Sequence, residues 1–336
     1  MRIKSVYIEI TNQCNLNCKT CYNRSGLNRN TLEISAEKIE QVVALFSSYG
    51  AKRFLISGGE PTMHTDFNGV LSIIRNNPAL SFGIITNGTI HHSGLLDLLN
   101  SQRNTSLQVS LDGSYELLNA QIRGPQNFAQ VINFIKKIDN PDLKPVLKMV
   151  VTKSNFNDIE NYYNLAVSLG CIPEFAFILC AGNGSDDWFE KTLSTQQKLK
   201  VINTIDRLNT LHKVQAPLPF CTNTCPYVQS TDSISLCIKA CGNIQPCHAL
   251  YSDFFSLGNI YSFAPGVFEE NINRISKMAQ RRSQMDFGCR DCLLRDGCGK
   301  GCMAIGLNLC GDPYSNDGNC GLRKLQLLYH DLLRID

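Results

Sequence analysis

Three thiols stand close together near the amino end, in the run Cys14-Asn-Leu-Asn-Cys18-Lys-Thr-Cys21. Soft thiolates suit iron–sulfur chemistry, and three on one short loop can hold three irons of a four-iron, four-sulfur cube. The fourth iron is then open, and an open site on a reducing cluster can take an amine and a carboxylate from a ligand. The competing account is structural zinc, but zinc sites usually close with four ligands, often as paired Cys-x2-Cys units. The other cysteines strengthen the case for metal. Of sixteen in the chain, none lies between Cys21 and Cys171, and eleven run from Cys221 to Cys320. Thiols used only as small core residues have no reason to segregate in this way, and a reducing compartment disfavours disulfides.

Such a loop has to be placed by the elements around it. Up to about residue 216 the chain alternates short β-branched runs with longer amphipathic stretches, the pattern of βα units on a parallel sheet. Strands are expected over 6–10, 53–57, 82–86, 107–111, 146–151 and 174–179. Helices are expected over 36–49, 66–75, 95–99, 128–138, 159–169 and 195–211, with Ser35 capping the first and Gly50 and Gly170 ending the first and fifth. Six units make an α/β partial (βα)6 barrel, and loops past the carboxyl ends of its strands are where such folds place their chemistry. The candidate motifs obey this. The cysteine loop follows the first strand, Gly58-Gly59-Glu60-Pro61 the second, Asn87-Gly88 the third and Asp112-Gly113 the fourth. From about Pro217 cysteine, glycine and turn residues dominate, and few periodic helices are expected. The chain therefore divides into a barrel over 1–216 and a cysteine-rich domain over 217–336, whose bound metal would replace part of the core that a short segment cannot build.

With 336 residues and 43% hydrophobic content, the chain can bury a sizeable core. A net charge of +3 is too mild to argue for a nucleic acid or a membrane surface as partner. No apolar run is long enough for a signal peptide or a bilayer span. A cytoplasmic protein is expected.

The Cys-x3-Cys-x2-Cys spacing, followed at one βα interval by Gly58-Gly59-Glu60-Pro61, resembles the radical S-adenosylmethionine (SAM) superfamily. The resemblance runs from Ile8 to Cys320. It implies that Cys14, Cys18 and Cys21 ligate a [4Fe-4S] cluster that reduces SAM, and that the loop Gly58, Gly59, Glu60 and Pro61 meets SAM's amino group. Glycines let a backbone come close, and Pro61 fixes the exit from the strand. Ser110, Asp112 and Arg123 look like positions of the family's peptide-modifying branch, in which the serine and arginine lie near the ribose and carboxylate of SAM. A guanidinium suits a carboxylate through bidentate hydrogen bonds. Read without the resemblance, Asp112 could equally cap a helix and Arg123 be a solvated side chain. Asn87 joins the cofactor-binding set. Many relatives carry an aromatic or histidine residue just before the third cysteine, packed on adenine; here Thr20 stands there, with Tyr22 beyond Cys21.

The tail run Cys289-Arg-Asp-Cys292-Leu-Leu-Arg-Asp-Gly-Cys298-Gly-Lys-Gly-Cys302 has Cys320 beyond it and Gly242-Asn-Ile-Gln-Pro-Cys247 upstream. It resembles the SPASM extension of the same family. That implies two auxiliary four-iron clusters with interleaved ligands: Cys289, Cys292, Cys298 and Cys320 on one, and Cys247, Cys302, Cys225 and Cys221 on the other. Sixteen residues separate Cys225 from Gly242, more than the family's usual interval, so Cys237 or Cys241 could supply the last ligand, or that cluster could keep an open site. Eight clustered thiolates also suit two closed zinc sites. His248 stands where sulfatase-maturing relatives carry an aspartate thought to take a proton, which argues against that activity, and a lone histidine is more often structural. Cys171, Cys180 and Cys310 are most simply buried thiols; a sharper reading makes one of them a hydrogen-atom donor, as in the family's epimerases.

The resemblance implies an enzyme, a radical SAM oxidoreductase that matures a peptide. Reductive cleavage of SAM would give a 5′-deoxyadenosyl radical that abstracts hydrogen from an unactivated C–H bond, ending in a crosslink, an oxidised side chain or an epimerised residue. An external one-electron reductant of flavodoxin or ferredoxin type would feed the first cluster. No separate leader-binding domain is expected before the first strand, so a leader peptide would need a partner protein or the barrel itself. The same expectation fits a small-molecule dehydrogenase or epimerase acting on an aminoglycoside or sugar alcohol. A non-catalytic iron–sulfur electron carrier would explain the cysteines but not the Gly-Gly-Glu-Pro turn beside them, and a zinc-stapled binding protein would explain only the tail.

Overall fold

The computed structural model describes residues 2–27, 30–219, 224–229, 234–250, 252–292, 294–295 and 298–325. Its strands are β1 (Ile3–Glu9), β2 (Arg53–Ser57), β3 (Ser81–Thr86), β4 (Thr105–Ser110), β5 (Val146–Val151), β6 (Ile172–Phe177), β7 (Ile234–Ile238), β8 (Asn243–Gln245) and β9 (Gly258–Asn259). They form one sheet in the order β6-β5-β4-β3-β2-β1-β7-β8-β9. Strands β1 to β6 pair in sequence and in parallel, as the six expected units require. Alternation along β1 shows how the sheet sorts its residues: Val6 and Ile8 are fully buried under the helices, while Tyr7 and Glu9 point to the opposite, inner face.

The intervening helices are α1 (Ala36–Ser48), α2 (Phe67–Asn76), α3 (Ser93–Ser101), α4 (Glu116–Arg123), α5 (Phe128–Lys136), α6 (Ile159–Ser168), α7 (Trp188–Lys191) and α8 (Thr195–His212). Helix α1 buries Ile39, Val42, Val43 and Phe46, one stripe at helical spacing, and Ser35 Oγ caps it by accepting from the Lys38 N–H at 3.2 Å. The sequence reading had no counterpart of α4. This short helix matters because it ends at Gly124, φ +90°, and leaves Arg123 on its last turn.

The tail departs from expectation. Strand β7 lies parallel to β1, with Tyr7 opposite Cys237, and so extends the barrel sheet by a seventh parallel strand before β8 and β9 fold back antiparallel. Three further helices follow, α9 (Pro226–Gln229), α10 (Pro265–Gln284) and α11 (Met303–Cys310), where few were expected. The 20-residue α10 buries Phe268, Ile272, Ile275 and Ala279 at three- and four-residue steps. Its Phe268 ring meets Tyr49 edge-on at 5.7 Å and Phe46 at 6.0 Å, which seats α10 on α1. Residues on both sides of the 216/217 boundary thus share one sheet and one apolar core. Among the described residues no helix is long and apolar enough to cross a membrane.

Candidate active site

The loop that carries Cys14, Cys18 and Cys21 leaves β1 and is seated on the β2 turn by backbone contact. Gly59 N–H donates to Thr11 O and Glu60 N–H to Gln13 O, both at 2.8 Å. A Cβ on Gly58 (φ +150°) would come within 2.3 Å of Thr11 O, and one on Gly59 within 2.2 Å of Gln13 O. These glycines therefore admit the start of the cysteine loop itself, in addition to lining the cavity beside it.

Glu60 lies one layer behind. Its fully buried carboxylate accepts from Thr62 N–H, Thr62 Oγ1 and Thr86 Oγ1 on one oxygen and from Asn87 N–H on the other, at 2.7–3.2 Å. Asn87 in turn donates from its side chain to Asn15 Oδ1 at 2.8 Å and stands 3.9 Å from Cys14 Sγ. Glu60 thus ties the ends of β2 and β3 to the cysteine loop. Glu60→Gln turns an NH2 group toward at least one of those donors and is expected to cost about 2 kcal/mol in urea unfolding. Burial pushes the Glu60 carboxyl above its ordinary 4.5, with the four donors pulling it back. Its folded form therefore holds the proton more tightly than the unfolded chain. That stability is fully present below the unfolded value and is lost as pH rises through the raised one, so the gap between wild type and variant should narrow with rising pH.

Cys14, Cys18 and Cys21 line one cavity of about 300 Å³, together with Ser110 and Arg123. Burial pushes the Cys14 thiol up to about 12 and Cys18 up to about 11; the Leu16 N–H opposes this at Cys14 and Arg123 opposes it at Cys18. Arg123 Nη1 is 3.9 Å from Cys18 Sγ. Its Nε lies 2.8 Å from Asp112 Oδ2, off the line of a good hydrogen bond, so charge attraction joins them. Asp112 is fully buried, caps no helix, and accepts the Val150 N–H at 2.7 Å. It does not line the cavity; neither do Glu60 and Pro61. Of the expected cofactor-binding residues, Gly58, Gly59, Asn87, Ser110 and Arg123 do.

The Radical SAM superfamily profile matches residues 8–166, which hold the cysteine loop, the Gly-Gly-Glu-Pro turn, Ser110 and Arg123. Residues 8–166 form a radical SAM domain. Mycofactocin maturase MftC of Mycolicibacterium smegmatis is 25% identical over 342 residues, covering 92% of this chain and 82% of the relative. Sporulation killing factor maturation protein SkfB of Bacillus subtilis is 25% identical over 256 residues, covering 72% and 60%. In fold the chain matches Streptococcus suis SuiB bound to precursor peptide SuiA, with TM-score 0.75, 17% identity and coverage of 95% and 76%.

Radical SAM proteins use a [4Fe-4S] cluster and SAM, and the donor set fits both. Three thiols offer one soft bond each, and the guanidinium beside Cys18 offers a fork for a carboxylate. Among the described residues no three acidic, histidine or cysteine side chains converge on one ion; a cube spreads its ligands over separate irons.

Sequence reasoning leaves the role of His248 open; the structure places it in the lining of this same cavity, from the tail. Its ring is edge-on to Tyr22 at 5.3 Å and tilted against Tyr7 at 6.1 Å. His248 is exposed toward the cavity, and loss of hydration from the protein around it, with Lys239 and Lys148 nearby, lowers its pKa to about 4. Tyr22 hydrogen-bonds Tyr7 at 2.7 Å and reaches Glu9 at 3.4 Å, and Glu9 is paired with Lys239 at 2.7 Å. The signal for His248 was its place directly after Cys247.

In the tail, Cys225, Cys247 and Cys302 lie close enough to disfavour one another's ionisation, with burial the larger cause; Cys225 is pushed up to about 11 and Cys247 to about 12. Cys289 and Cys298 line a second cavity, of about 590 Å³, with Cys292 in the turn after Cys289. Asp317 links the arms that carry Cys302 and Cys320: its carboxylate accepts the Cys302 N–H at 3.0 Å and the Asn319 N–H at 3.1 Å, and it pairs with Arg323 through two bonds of 2.7 Å. Cys221 falls outside the described residues. Cys241 is exposed at the β7–β8 turn, and Cys237 is buried in β7 with its thiol 3.9 Å from Glu9.

The hydrogen-donor reading finds no support. Cys171 belongs to the apolar core, Cys180 turns its thiol to Asn308 O at 3.6 Å, and Cys310 is exposed; none lines the cysteine cavity.

Proposed function

We propose that this radical SAM enzyme matures a peptide, abstracting hydrogen from one residue to form a crosslink, an oxidised side chain or an epimerised centre. The observation that carries the reading is the shape of the site: one cavity runs from the three cluster cysteines past Arg123 and Ser110 to His248, which the cysteine-rich tail supplies. MftC and SkfB, both named as maturation proteins, support a peptide as substrate, as does the fold shared with SuiB. Cys14, Cys18 and Cys21 would hold the cluster, with Arg123 toward the carboxylate of SAM, and the two together would supply one-electron radical chemistry.

The chain's own residues do the rest. Arg123 and Ser110 hold the carboxylate and ribose, the Gly-Gly-Glu-Pro turn holds the amine, and Asp112 holds Arg123. His248 and Tyr22 form the wall that faces the substrate. In the tail, Cys225, Cys247 and Cys302, with Cys221, ligate one auxiliary cluster of a SPASM extension, and Cys289, Cys292, Cys298 and Cys320 the other. Electrons come from an external one-electron reductant of flavodoxin or ferredoxin type.

The test is anaerobic incubation of the reconstituted protein with SAM, dithionite and short precursor peptides encoded beside its gene, followed by mass spectrometry. Loss of two hydrogens marks a crosslink or an oxidation; uptake of solvent deuterium alone marks epimerisation. Formation of 5′-deoxyadenosine with unchanged peptides, but with an aminoglycoside or sugar alcohol consumed, would replace the peptide reading by the small-molecule one. Absence of 5′-deoxyadenosine under every condition would leave an electron carrier.

A further inference from the structure

The loop after β6 reaches back over the cysteine loop and occupies its carbonyls. Asn183 donates its backbone N–H to Cys21 O at 2.8 Å and its side-chain amide to Cys18 O at 2.9 Å. Lys191 Nζ donates to Lys19 O at 3.2 Å, and fixes its own loop through Asn183 O at 2.9 Å and Asp186 O at 2.5 Å. The approach is as close as the chain allows: Gly182 has φ +55°, and a Cβ there would meet Tyr22 O at 2.3 Å and Cys21 O at 2.4 Å. Arg24 closes the outer side through Gly182 O at 2.9 Å and Asp186 at 2.5 Å.

We propose that Asn183 and Lys191 are positioning residues for the iron–sulfur ligand loop, clasping the carbonyls of residues 18, 19 and 21 so that Cys18 and Cys21 keep the spacing that an open-iron cluster needs. Neither residue lines the cavity, so neither touches the cofactors. Elsewhere the loop is tied by the Lys19 N–H to Ile122 O at 2.9 Å and by Asn15, which bonds Asn87 and Thr89 at 2.8 Å. Without the clasp, the carbonyls of residues 18, 19 and 21 would lose the partners that the loop after β6 gives them. Each lost bond also leaves a carbonyl free to turn toward the cluster, where its negative end opposes the reduced state. Lys191 adds a fixed positive charge behind the loop, which favours that state. The inference rests on the cluster site and is independent of whether the substrate is a peptide.

The full-length protein is reconstituted anaerobically as wild type, Asn183→Ala, Lys191→Met and Lys191→Arg. Two readouts are taken: the rate at which a chelator strips iron, and the part of the reduced electron paramagnetic resonance signal that changes on adding SAM, which reports the open-iron cluster alone. Asn183→Ala and Lys191→Met should each strip that cluster about tenfold faster, the scale of one or two lost hydrogen bonds. Both should also broaden the SAM-responsive signal, while Lys191→Arg stays near wild type. Unchanged stripping and an unchanged signal in both variants would overturn the proposal, as would equal loss in Lys191→Met and Lys191→Arg. If Asn183→Ala fails to fold, the two Lys191 variants decide alone.

Discussion

Cys18→Ala should leave a folded protein that makes no 5′-deoxyadenosine from SAM under reducing conditions. The substitution removes one soft ligand from a half-buried loop whose backbone is held independently, by Ile122 O on one side and Asn183 on the other. The fold should therefore stand while the cluster site falls below the three thiolates that an open-iron cube requires. The informative comparison is with the tail. Cys302→Ala removes a thiol that stands near Cys225 and Cys247 but does not line the cavity with Cys14, Cys18 and Cys21. It should keep SAM cleavage in the absence of substrate and lose product formation. Iron content, visible absorption and 5′-deoxyadenosine by chromatography separate the two. If Cys18→Ala retained SAM cleavage, the assignment of the amino-terminal site would fail; if Cys302→Ala lost it, the tail would prove part of the first site.

The barrel was legible because its information is local. Each of the six βα units carries its own period, and in the first four the carboxyl end of the strand is marked by residues with a chemical reason to be there, from the cysteine loop to Asp112-Gly113. What sequence could not carry was partnership between distant segments. Strand β7 is five residues long and sits among turn residues, and only pairing with β1, more than two hundred residues earlier, makes it part of the sheet. That pairing also turns the tail inward and brings His248 against Tyr22. Helix α10 is a different case: its apolar residues at 268, 272, 275 and 279 follow a plain helical period, and the density of cysteines around it drew the reading away from a pattern that was present. The roles of Asp112 and Glu60 were legible only as membership of the site. Which of the grouped residues touches the cavity and which supports another depends on a burial that spacing does not encode.

Asp112 gives the sharpest separation of support from contact. It has no exposure, it accepts the Val150 N–H, and it pairs with an Arg123 side chain that is only 10% exposed. Asp112→Ala leaves a guanidinium without its counter-charge in a place water barely reaches and orphans a backbone N–H of β5. A loss of about 3 kcal/mol in urea unfolding is expected, the lower end for breaking a buried pair, because Arg123 keeps one face on the cavity. Adding Arg123→Met to Asp112→Ala removes the stranded charge and should restore most of that loss, leaving about 1 kcal/mol for the Val150 N–H. Function should not follow stability. The single variant keeps a guanidinium but not its aim, and the double variant has none to offer a carboxylate, so both should bind SAM far more weakly than wild type in equilibrium dialysis. A double variant that regained SAM binding along with its stability would show that the pair only holds β4, β5 and α4 together. Recovery of the fold without recovery of binding would show that the pair serves the cofactor as well as the fold.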